Sequence, residues 1–170
     1  MLATARGDLS AFGQLVSRHQ TSAWNAAYRF LGNAADAEDV AQEAFLRILD
    51  SAHRYRPTAG FRTYLYRIVS RLCFDVARRR RVRQHQPLPD LAANGPSPEG
   101  VALLDERAAI VREALDGLPP AQKMAVILRY YEDLGYREMA AVLNATEKGA
   151  ERLLARARAN LEDRLGGLLE

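Results

Sequence analysis

The 170-residue sequence lacks most of the residue patterns that would indicate an enzyme or a metalloprotein. It contains one cysteine, Cys73, so no intramolecular disulfide can form, which suits a reducing compartment. Its three histidines, His19, His53 and His85, are far apart and have no metal-ligand spacing. Gly-rich phosphate loops and the HExxH and GxSxG motifs are absent. We therefore expect no catalytic residues, no metal site and no cofactor.

Long apolar runs are also missing from the sequence. No apolar window reaches 18 residues, and no basic start is followed by an apolar stretch, so we expect neither a membrane span nor a signal peptide. A cytoplasmic location follows from these expectations. The composition, 48% hydrophobic and 26% charged, is that of an ordinary globular protein.

Charge is distributed unevenly along the chain. Residues 1–83 hold 14 Lys+Arg against 7 Asp+Glu, whereas residues 84–170 hold 10 against 14. Between the halves, residues 84–103 contain four prolines and two glycines with little periodicity, which is typical of a flexible linker. The sequence thus predicts a basic domain over 1–83, a linker over 84–103 and a second domain over 104–170.

Apolar residues recur at helical spacing in both halves, and we find no convincing strand pattern, so we expect an all-α protein. An amphipathic pair of helices is predicted over residues 8–31, ended by Gly32 and Asn33. The next helix is expected to begin with Asp36 as its N-cap and to run to about Leu49.

One face of the helix that begins at Asp36 is acidic and rich in amides. It carries Asp39, Gln42, Glu43 and Asp50. Such a face could dock against a basic partner, or it could be an ordinary solvated surface.

The most basic part of the chain is residues 61–83, read as one helix. Its last turns carry Arg78, Arg79, Arg80, Arg81 and Arg83, which could bind phosphates or form a solvated helix end. Tyr64, Arg67 and Arg71 share one face, and a loop with Arg54, Tyr55 and Arg56 precedes the helix. Aromatic residues interleaved with arginines favour stacking on unpaired bases, although Phe61 or Tyr66 could instead belong to the core.

The C-terminal part predicts a helix-turn-helix. A short helix over 136–143 is followed by Asn144, which tolerates a left-handed turn, and by Thr146, which can cap the final helix. In that helix the inward positions are Ala150, Leu154, Ala157 and Leu161, and the outward positions are Lys148, Glu151, Arg152 and Arg156. Any compact three-helix bundle shows a similar pattern.

Taken together, these segments resemble one family across nearly the whole chain. The segments are DAEDVAQEAFLRIL, FRTYLYRIVSRLCFDVARRRR, a proline-rich linker, LDGLPPAQKMAVILRYYEDLGYREMAAVL and LLARARANL. Their order and content are similar to bacterial RNA polymerase sigma factors of the extracytoplasmic-function (ECF) type. The resemblance implies two helical domains, regions 2 and 4, that bind core RNA polymerase and direct promoter-specific transcription initiation. It also implies an anti-sigma factor as a partner.

The resemblance further implies three sets of binding residues. Contacts with core polymerase would come from Asp36, Asp39, Gln42 and Glu43. Capture of the single strand at the −10 element would involve Arg54, Tyr55, Arg56, Tyr64, Arg67, Arg71, Arg78 and Arg79. Recognition of duplex DNA at the −35 element would involve Thr146, Lys148, Glu151, Arg152 and Arg156.

The chain departs from the common family pattern at several of these positions. Tyr64 and Arg71 stand where relatives commonly carry Trp and Asn. In the last helix the more usual Thr, Val, Lys and Arg are replaced by Gly149, Ala150, Glu151 and Leu153, which leaves its groove face less cationic. Two other functions fit the residues alone. A helix-turn-helix regulator acting without polymerase would bind promoters tightly by itself, and a helical adaptor would not depend on DNA.

Overall fold

The computed structural model describes residues 1–84 and 102–169, and all regular structure in these two ranges is helical. The N-terminal module consists of α1 (Leu2–Ala5), α2 (Leu9–Leu31), α3 (Ala34–Asp50), a 3-10 turn (Ala52–Arg54) and α4 (Phe61–Gln84). The C-terminal module consists of α5 (Ala102–Asp116), α6 (Pro120–Val126), a π-helical turn (Ile127–Tyr131), α7 (Tyr136–Leu143) and α8 (Glu147–Leu169). The expected all-α fold with two helical domains is confirmed, and nearly all of the predicted linker lies outside the described residues.

Helix α2 is a single helix rather than the predicted pair. It begins after Asp8, whose side chain accepts a hydrogen bond from the Ala11 N–H at 2.9 Å. It ends at Gly32, which has a φ of 68° and donates its N–H to the Tyr28 carbonyl. Between these caps the sequence contains no proline, so the helix continues through the position where the prediction divided it.

Helix α3 begins three residues earlier than the prediction of an Asp36 N-cap implies. Asn33 is the N-cap, and its side-chain oxygen accepts a hydrogen bond from the Asp36 N–H at 2.9 Å. Asp36 lies in the first turn and forms an ion pair with Arg80 of α4. The predicted N-cap was therefore wrong, because Asn33 is equally suited to cap and directly follows the glycine that ends α2.

The helix-turn-helix prediction is matched by α7, the turn and α8. Asn144 takes a left-handed conformation with φ 53° and closes α7. Thr146 then accepts a hydrogen bond from the Gly149 N–H at 3.0 Å and starts α8. Ala150, Leu154 and Ala157 are fully buried, as their spacing predicts.

The buried apolar residues of the two modules form one continuous core. Helix α4 lies at its centre, because it packs against α2 and α3 on one side and against α7 on the other. Packing of these neighbours around α4 explains why Leu65, Tyr66 and Val69 are all almost inaccessible to solvent. Tyr66 is consequently a core residue, the alternative that the sequence left open.

Candidate nucleic-acid interface

The acidic face of α3 is exposed but partly neutralised by arginines. Asp39 and Gln42 are exposed. Glu43 accepts a hydrogen bond from Arg47 at 2.7 Å, one helical turn further along. With Asp36 paired to Arg80, two of the four predicted polymerase-binding residues already have a cationic neighbour. A basic partner would meet Asp39 and Gln42 first.

An apolar groove of about 550 Å³ lies beside this face, between α2 and α3. Its walls include Phe12, Val16, Trp24, Phe45 and Leu46, and Leu46 is 57% exposed. The amphipathic pattern of residues 8–31 predicted an apolar face there but could not show that a partner helix covers only part of it. The groove is suited to receive apolar side chains from a partner helix.

The predicted stacking tyrosines lie together at the start of α4. The rings of Tyr55 and Tyr64 meet edge to face with centroids 5.2 Å apart, and the Tyr64 hydroxyl bonds with the Ser51 hydroxyl at 2.8 Å. Burial and the neighbouring Tyr64 raise the pKa of Tyr55. Arg54 and Arg56 are exposed on the loop beside them. The structure therefore brings a half-buried aromatic pair and two cations together.

The arginines of α4 differ in their surroundings. Arg71 is exposed, whereas Arg67 donates a hydrogen bond from Nε to the Ala141 carbonyl of α7 at 2.9 Å. Arg78 pairs with Asp75 at 3.0 Å, and Arg79 donates to the Asp75 carbonyl at 3.2 Å. Part of the arginine cluster is thus already bonded within the protein, and sequence periodicity does not reveal such bonds.

The outer face of α8 and its preceding turn expose all five predicted −35 residues. These are Thr146, Lys148, Glu151, Arg152 and Arg156. They lie opposite the buried Ala150, Leu154 and Ala157, so the helix presents a polar ridge to solvent. The next arginine, Arg158, is held to the side by a hydrogen bond from its Nε to the Tyr130 hydroxyl at 2.7 Å. Tyr130 belongs to the π-helical turn, a partner that no sequence pattern indicated.

A polar cluster between the two modules has no signature in the sequence. Glu132, which is 6% exposed, lies against α2 and α4, and Lys123, also 6% exposed, reaches the end of α2. Buried charged residues are uncommon unless they are paired. No local signal could have identified their burial, because their partners in the N-terminal module are between 66 and 103 positions away along the chain.

Neither a metal site nor a membrane helix is found in the part of the chain that the structure describes. No cluster of three or more His, Cys, Asp or Glu residues there could hold a metal ion. None of the described helices combines the length and apolar content that a membrane crossing requires. The geometry instead defines a class: a two-module helical protein with an aromatic and basic surface on one module and a helix-turn-helix on the other.

Comparison with known proteins identifies the family within this class. Residues 15–83 match Sigma-70 region 2, and residues 108–161 match Sigma-70, region 4. The chain is 33% identical to the RNA polymerase sigma factor CnrH of Cupriavidus metallidurans, covering 92% of this chain and 87% of that protein. The solved structure of CnrH in complex with the cytosolic domain of CnrY matches with a TM-score of 0.75 at 28% identity, over 98% of this chain and 96% of that one.

Two further comparisons agree with this assignment. The ECF RNA polymerase sigma factor SigE of Mycolicibacterium smegmatis is 35% identical over 95% of this chain, and the chain spans 65% of that relative's length. The sigma factor RpoE of Bartonella quintana, solved with the anti-sigma factor NepR, shares the fold with a TM-score of 0.71 at 20% identity, over 92% of this chain and 97% of that one. The chain belongs to the ECF-type RNA polymerase sigma factors. It acts in promoter-directed initiation of transcription.

Proposed function

We propose that this sigma factor docks on core RNA polymerase through α3 and reads promoter DNA with two separate surfaces. The observation that carries the proposal is the separation of these surfaces. The aromatic and basic surface at the start of α4 and the polar ridge of α8 belong to different modules and both face solvent. The surface on α4 suits single-stranded DNA, and the ridge of α8 suits duplex DNA.

The α3 face supports polymerase docking by charge and by shape. Asp39 and Gln42 are exposed, and Gln42 also borders the apolar groove between α2 and α3. A partner helix could place basic residues on the acidic face and apolar residues in the groove at the same time. The exposed Leu46 at the groove rim is then explained as a contact residue.

The surface around Tyr55 and Tyr64 supports capture of unpaired bases. Stacking a base on an aromatic side chain contributes about 1–3 kcal/mol, which offsets part of the cost of unpairing. Arg54, Arg56 and Arg71 are exposed nearby and can bind the phosphates of the same strand. Strand capture at the −10 element therefore needs no catalytic group, and we propose that the chain contributes no catalysis of its own.

The α8 ridge supports major-groove reading at the −35 element. Arg152 and Arg156 can donate to guanine, Lys148 can bind phosphate, and Glu151 can accept from a cytosine amine. The presence of Glu151 lowers the positive charge of the ridge, so phosphate attraction contributes less to binding here than it would on a wholly cationic ridge. The exposed Thr146 stands at the start of the ridge.

The proposal includes an anti-sigma factor and a cytoplasmic place of action. CnrH was solved with the cytosolic domain of CnrY, and the Bartonella protein with an anti-sigma factor, and this chain shares its fold with both. An amphipathic partner segment could occupy the apolar groove beside α3. Because the chain acts on RNA polymerase, we propose that it does so in the cytoplasm.

Run-off transcription with purified core polymerase tests this function. We expect the chain to produce start-site-specific transcripts from a pool of genomic fragments, and core polymerase alone to produce none of them. Aligned start sites would reveal both promoter elements. Absence of any chain-dependent transcript across the pool would contradict the proposal.

A further inference from the structure

Helix α1 is held in place by packing rather than by its own length. It has four residues, Leu2–Ala5, whereas isolated helices shorter than about 12 residues are marginal in water. Its residue Thr4 is only 5% exposed, and Met1 beside it packs against the core. Helix α1 packs against α2 and against the 3-10 turn at Ala52–Arg54. The first residues of the chain are therefore part of the N-terminal module.

The 3-10 turn that α1 contacts begins the segment that carries the proposed base-stacking residues. We call this segment, residues 51–60, the capture loop. Arg54 donates its N–H to the Ser51 carbonyl at 2.9 Å, and Tyr55 donates its N–H to the Ala52 carbonyl at 3.0 Å. These local bonds shape the turn but do not fix it against the helices. Ala52 is 4% exposed and is the buried residue of the loop, so packing determines where the turn lies.

The position of the turn determines the position of the aromatic pair. Ser51 precedes the turn and Tyr55 follows it. The Ser51 hydroxyl bonds with the Tyr64 hydroxyl at 2.8 Å, and the ring of Tyr55 meets the ring of Tyr64 with centroids 5.2 Å apart. A displacement of the turn would therefore move both residues that contact Tyr64.

A glycine joins α1 to α2 without making α2 depend on α1. Gly7 has a φ of 92° and donates its N–H to the Thr4 carbonyl at 2.9 Å, and Asp8 donates its N–H to the Ala3 carbonyl at 3.2 Å. The Asp8 side chain separately caps α2 through the Ala11 N–H. Displacement of α1 would thus leave the cap of α2 in place and remove the packing against the capture loop.

We propose that α1 braces the capture loop, and that Thr4 and Gly7 are positioning residues for single-strand binding at the −10 element. The inference rests on the proposed function of the surface around Tyr55 and Tyr64. A loop that is already held in position does not have to be ordered when the strand binds. When α1 is displaced, only the fraction of molecules with a correctly placed loop binds the strand, so the apparent affinity falls by that fraction.

Two substitutions at Thr4 separate shape from charge. Thr4→Arg places a long charged side chain at a buried position and should displace α1 from the turn. The added cation would by itself strengthen DNA binding, so weaker binding would identify the displacement as the cause. Thr4→Val nearly keeps the shape and removes a buried hydroxyl that has no hydrogen-bond partner among the described residues. It should bind the strand as wild type does.

A substitution at Gly7 displaces α1 without filling space. Gly7 is exposed, and a Cβ there would have no neighbour within 4 Å, but its φ of 92° disfavours a β-branched residue. Gly7→Val should therefore alter the connection between α1 and α2 through the backbone. Gly166→Val adds the same side chain at an exposed glycine of α8, where a Cβ also has no neighbour within 4 Å and φ is not positive. It is the matched control.

Hydrogen exchange of the free full chain measures the loop directly. Peptides covering residues 51–60 should exchange at least about fivefold faster in Thr4→Arg and Gly7→Val than in Thr4→Val and Gly166→Val. Exchange within α7 should be the same in all four variants. This readout does not depend on DNA or on polymerase.

Binding of a single strand by the holoenzyme measures the consequence. The probe is a labelled strand that carries the nontemplate −10 sequence of a promoter mapped by run-off transcription, and its Kd is measured by fluorescence anisotropy. The Kd should rise about fivefold for Thr4→Arg and Gly7→Val, as expected if the loop is correctly placed in about one molecule in five. Affinity for core polymerase should be equal in all four variants, which a general loss of folded protein would not allow.

The proposal fails if Thr4→Arg and Gly7→Val leave exchange of the capture loop unchanged while circular dichroism shows intact helices. It also fails if the loop exchanges faster but the holoenzyme binds the strand as wild type does. Should Thr4→Arg alone lose helical content, Gly7→Val decides. Loss of helical content in Gly7→Val would overturn the proposal, because α1 would then support the whole module rather than the loop.

Run-off transcription distinguishes failure of this inference from failure of the proposed function. Start-site-specific transcription by wild type, together with unchanged loop exchange in the variants, refutes only the brace. Absence of transcription by every form refutes the proposed function, and exchange of the capture loop alone then decides whether α1 braces it.

Discussion

At the scale of single residues, exposure determines which of the predicted contacts a partner can reach. Asp39, Gln42 and the α8 residues face solvent, whereas Asp36 and Glu43 are paired with arginines inside the N-terminal module. A paired carboxylate must release its neighbour before it can bind a partner. Substitution of an exposed residue therefore tests partner binding alone. Substitution of a paired residue changes both partner binding and an ion pair within the N-terminal module.

Charge reversal at Glu43 tests polymerase docking. Glu43→Lys should weaken core binding, because it places a cation on the acidic face, and it should cost the fold only about 0.5 kcal/mol through loss of the exposed Arg47 pair. Core binding would be measured by fluorescence anisotropy and stability by urea unfolding. Asp163→Lys makes the same charge change on α8 and should bind core normally. Equal core affinity of the two variants would refute the docking surface.

Truncation of Arg152 tests the −35 ridge. Arg152→Ala should reduce promoter-specific transcription by the loss of about 1–3 kcal/mol of DNA contact, while core binding stays intact. Arg112→Ala removes an exposed arginine from α5 of the same module and is the matched control. If both variants lower run-off transcription equally, the ridge has no special role in recognition.

The burial of Cys73 should affect both the reactivity of its thiol and the stability of the protein at high pH. Burial raises the pKa of this thiol to about 12, so at pH 8 roughly one molecule in ten thousand carries the thiolate. A thiol reagent should label the folded protein very slowly and the urea-unfolded protein at the rate of free cysteine. Fast labelling of the folded chain would place Cys73 outside the core.

The sign of the accompanying pH dependence follows from the same shift. An unfolded thiol loses its proton near pH 9, while the folded thiol keeps it to about pH 12, so the free energy of unfolding should fall as pH rises between these values. Burial and the bond to Glu132 also raise the pKa of Tyr66, which acts in the same direction at higher pH. Urea unfolding of Cys73→Ala should show a shallower alkaline decline than wild type.

At the scale of helices, caps define where each element starts and stops. Asp8, Asn33 and Thr146 each accept a backbone hydrogen bond three residues ahead, and Gly32 and Asn144 close their helices in left-handed conformations. These are residue types whose capping role can be recognised in the sequence. The choice between Asn33 and Asp36 could not be made there, because both side chains are good caps and only the local backbone distinguishes them.

Two glycines of the N-terminal module should respond to alanine in opposite directions. Gly32 has φ 68°, so Gly32→Ala should lower the free energy of unfolding by about 1 kcal/mol through backbone strain. Gly13 lies within α2, and Gly13→Ala should raise it by about 0.5–1 kcal/mol. A Cβ at either position would have no neighbour within 4 Å, so packing does not contribute. Urea unfolding measures the change in the free energy of unfolding for each variant. Changes of the same sign would contradict the assigned conformations.

At the scale of the whole molecule, the uneven charge predicts dependence on polymerase. Residues 84–170 hold 14 acidic against 10 basic residues, so the half that carries the helix-turn-helix releases few counterions on binding duplex DNA. We expect the isolated chain to bind a promoter duplex at least about tenfold more weakly than the holoenzyme does, as measured by anisotropy at physiological salt. Equal affinity would instead support a regulator that acts without polymerase.

Helical periodicity, the proline-rich segment and the turn residues were sufficient to predict the all-α fold, the two modules and the helix-turn-helix. These features depend on neighbours within about four positions, so the sequence displays them directly. The outward set on α8 was predicted for the same reason, since burial of Ala150, Leu154 and Ala157 places their neighbours in solvent. The roles of those exposed residues remain predictions.

Only the tertiary structure decided how the modules meet. Glu132 and Lys123 look like surface charges in the sequence, and their burial arises from Tyr66, Arg29 and the end of α2, which are distant along the chain. The apolar groove beside α3 depends in the same way on how far α2 and α3 cover each other's side chains. Local propensity carries no information on such contacts, because they are determined by the packing of elements that the chain brings together only when it folds.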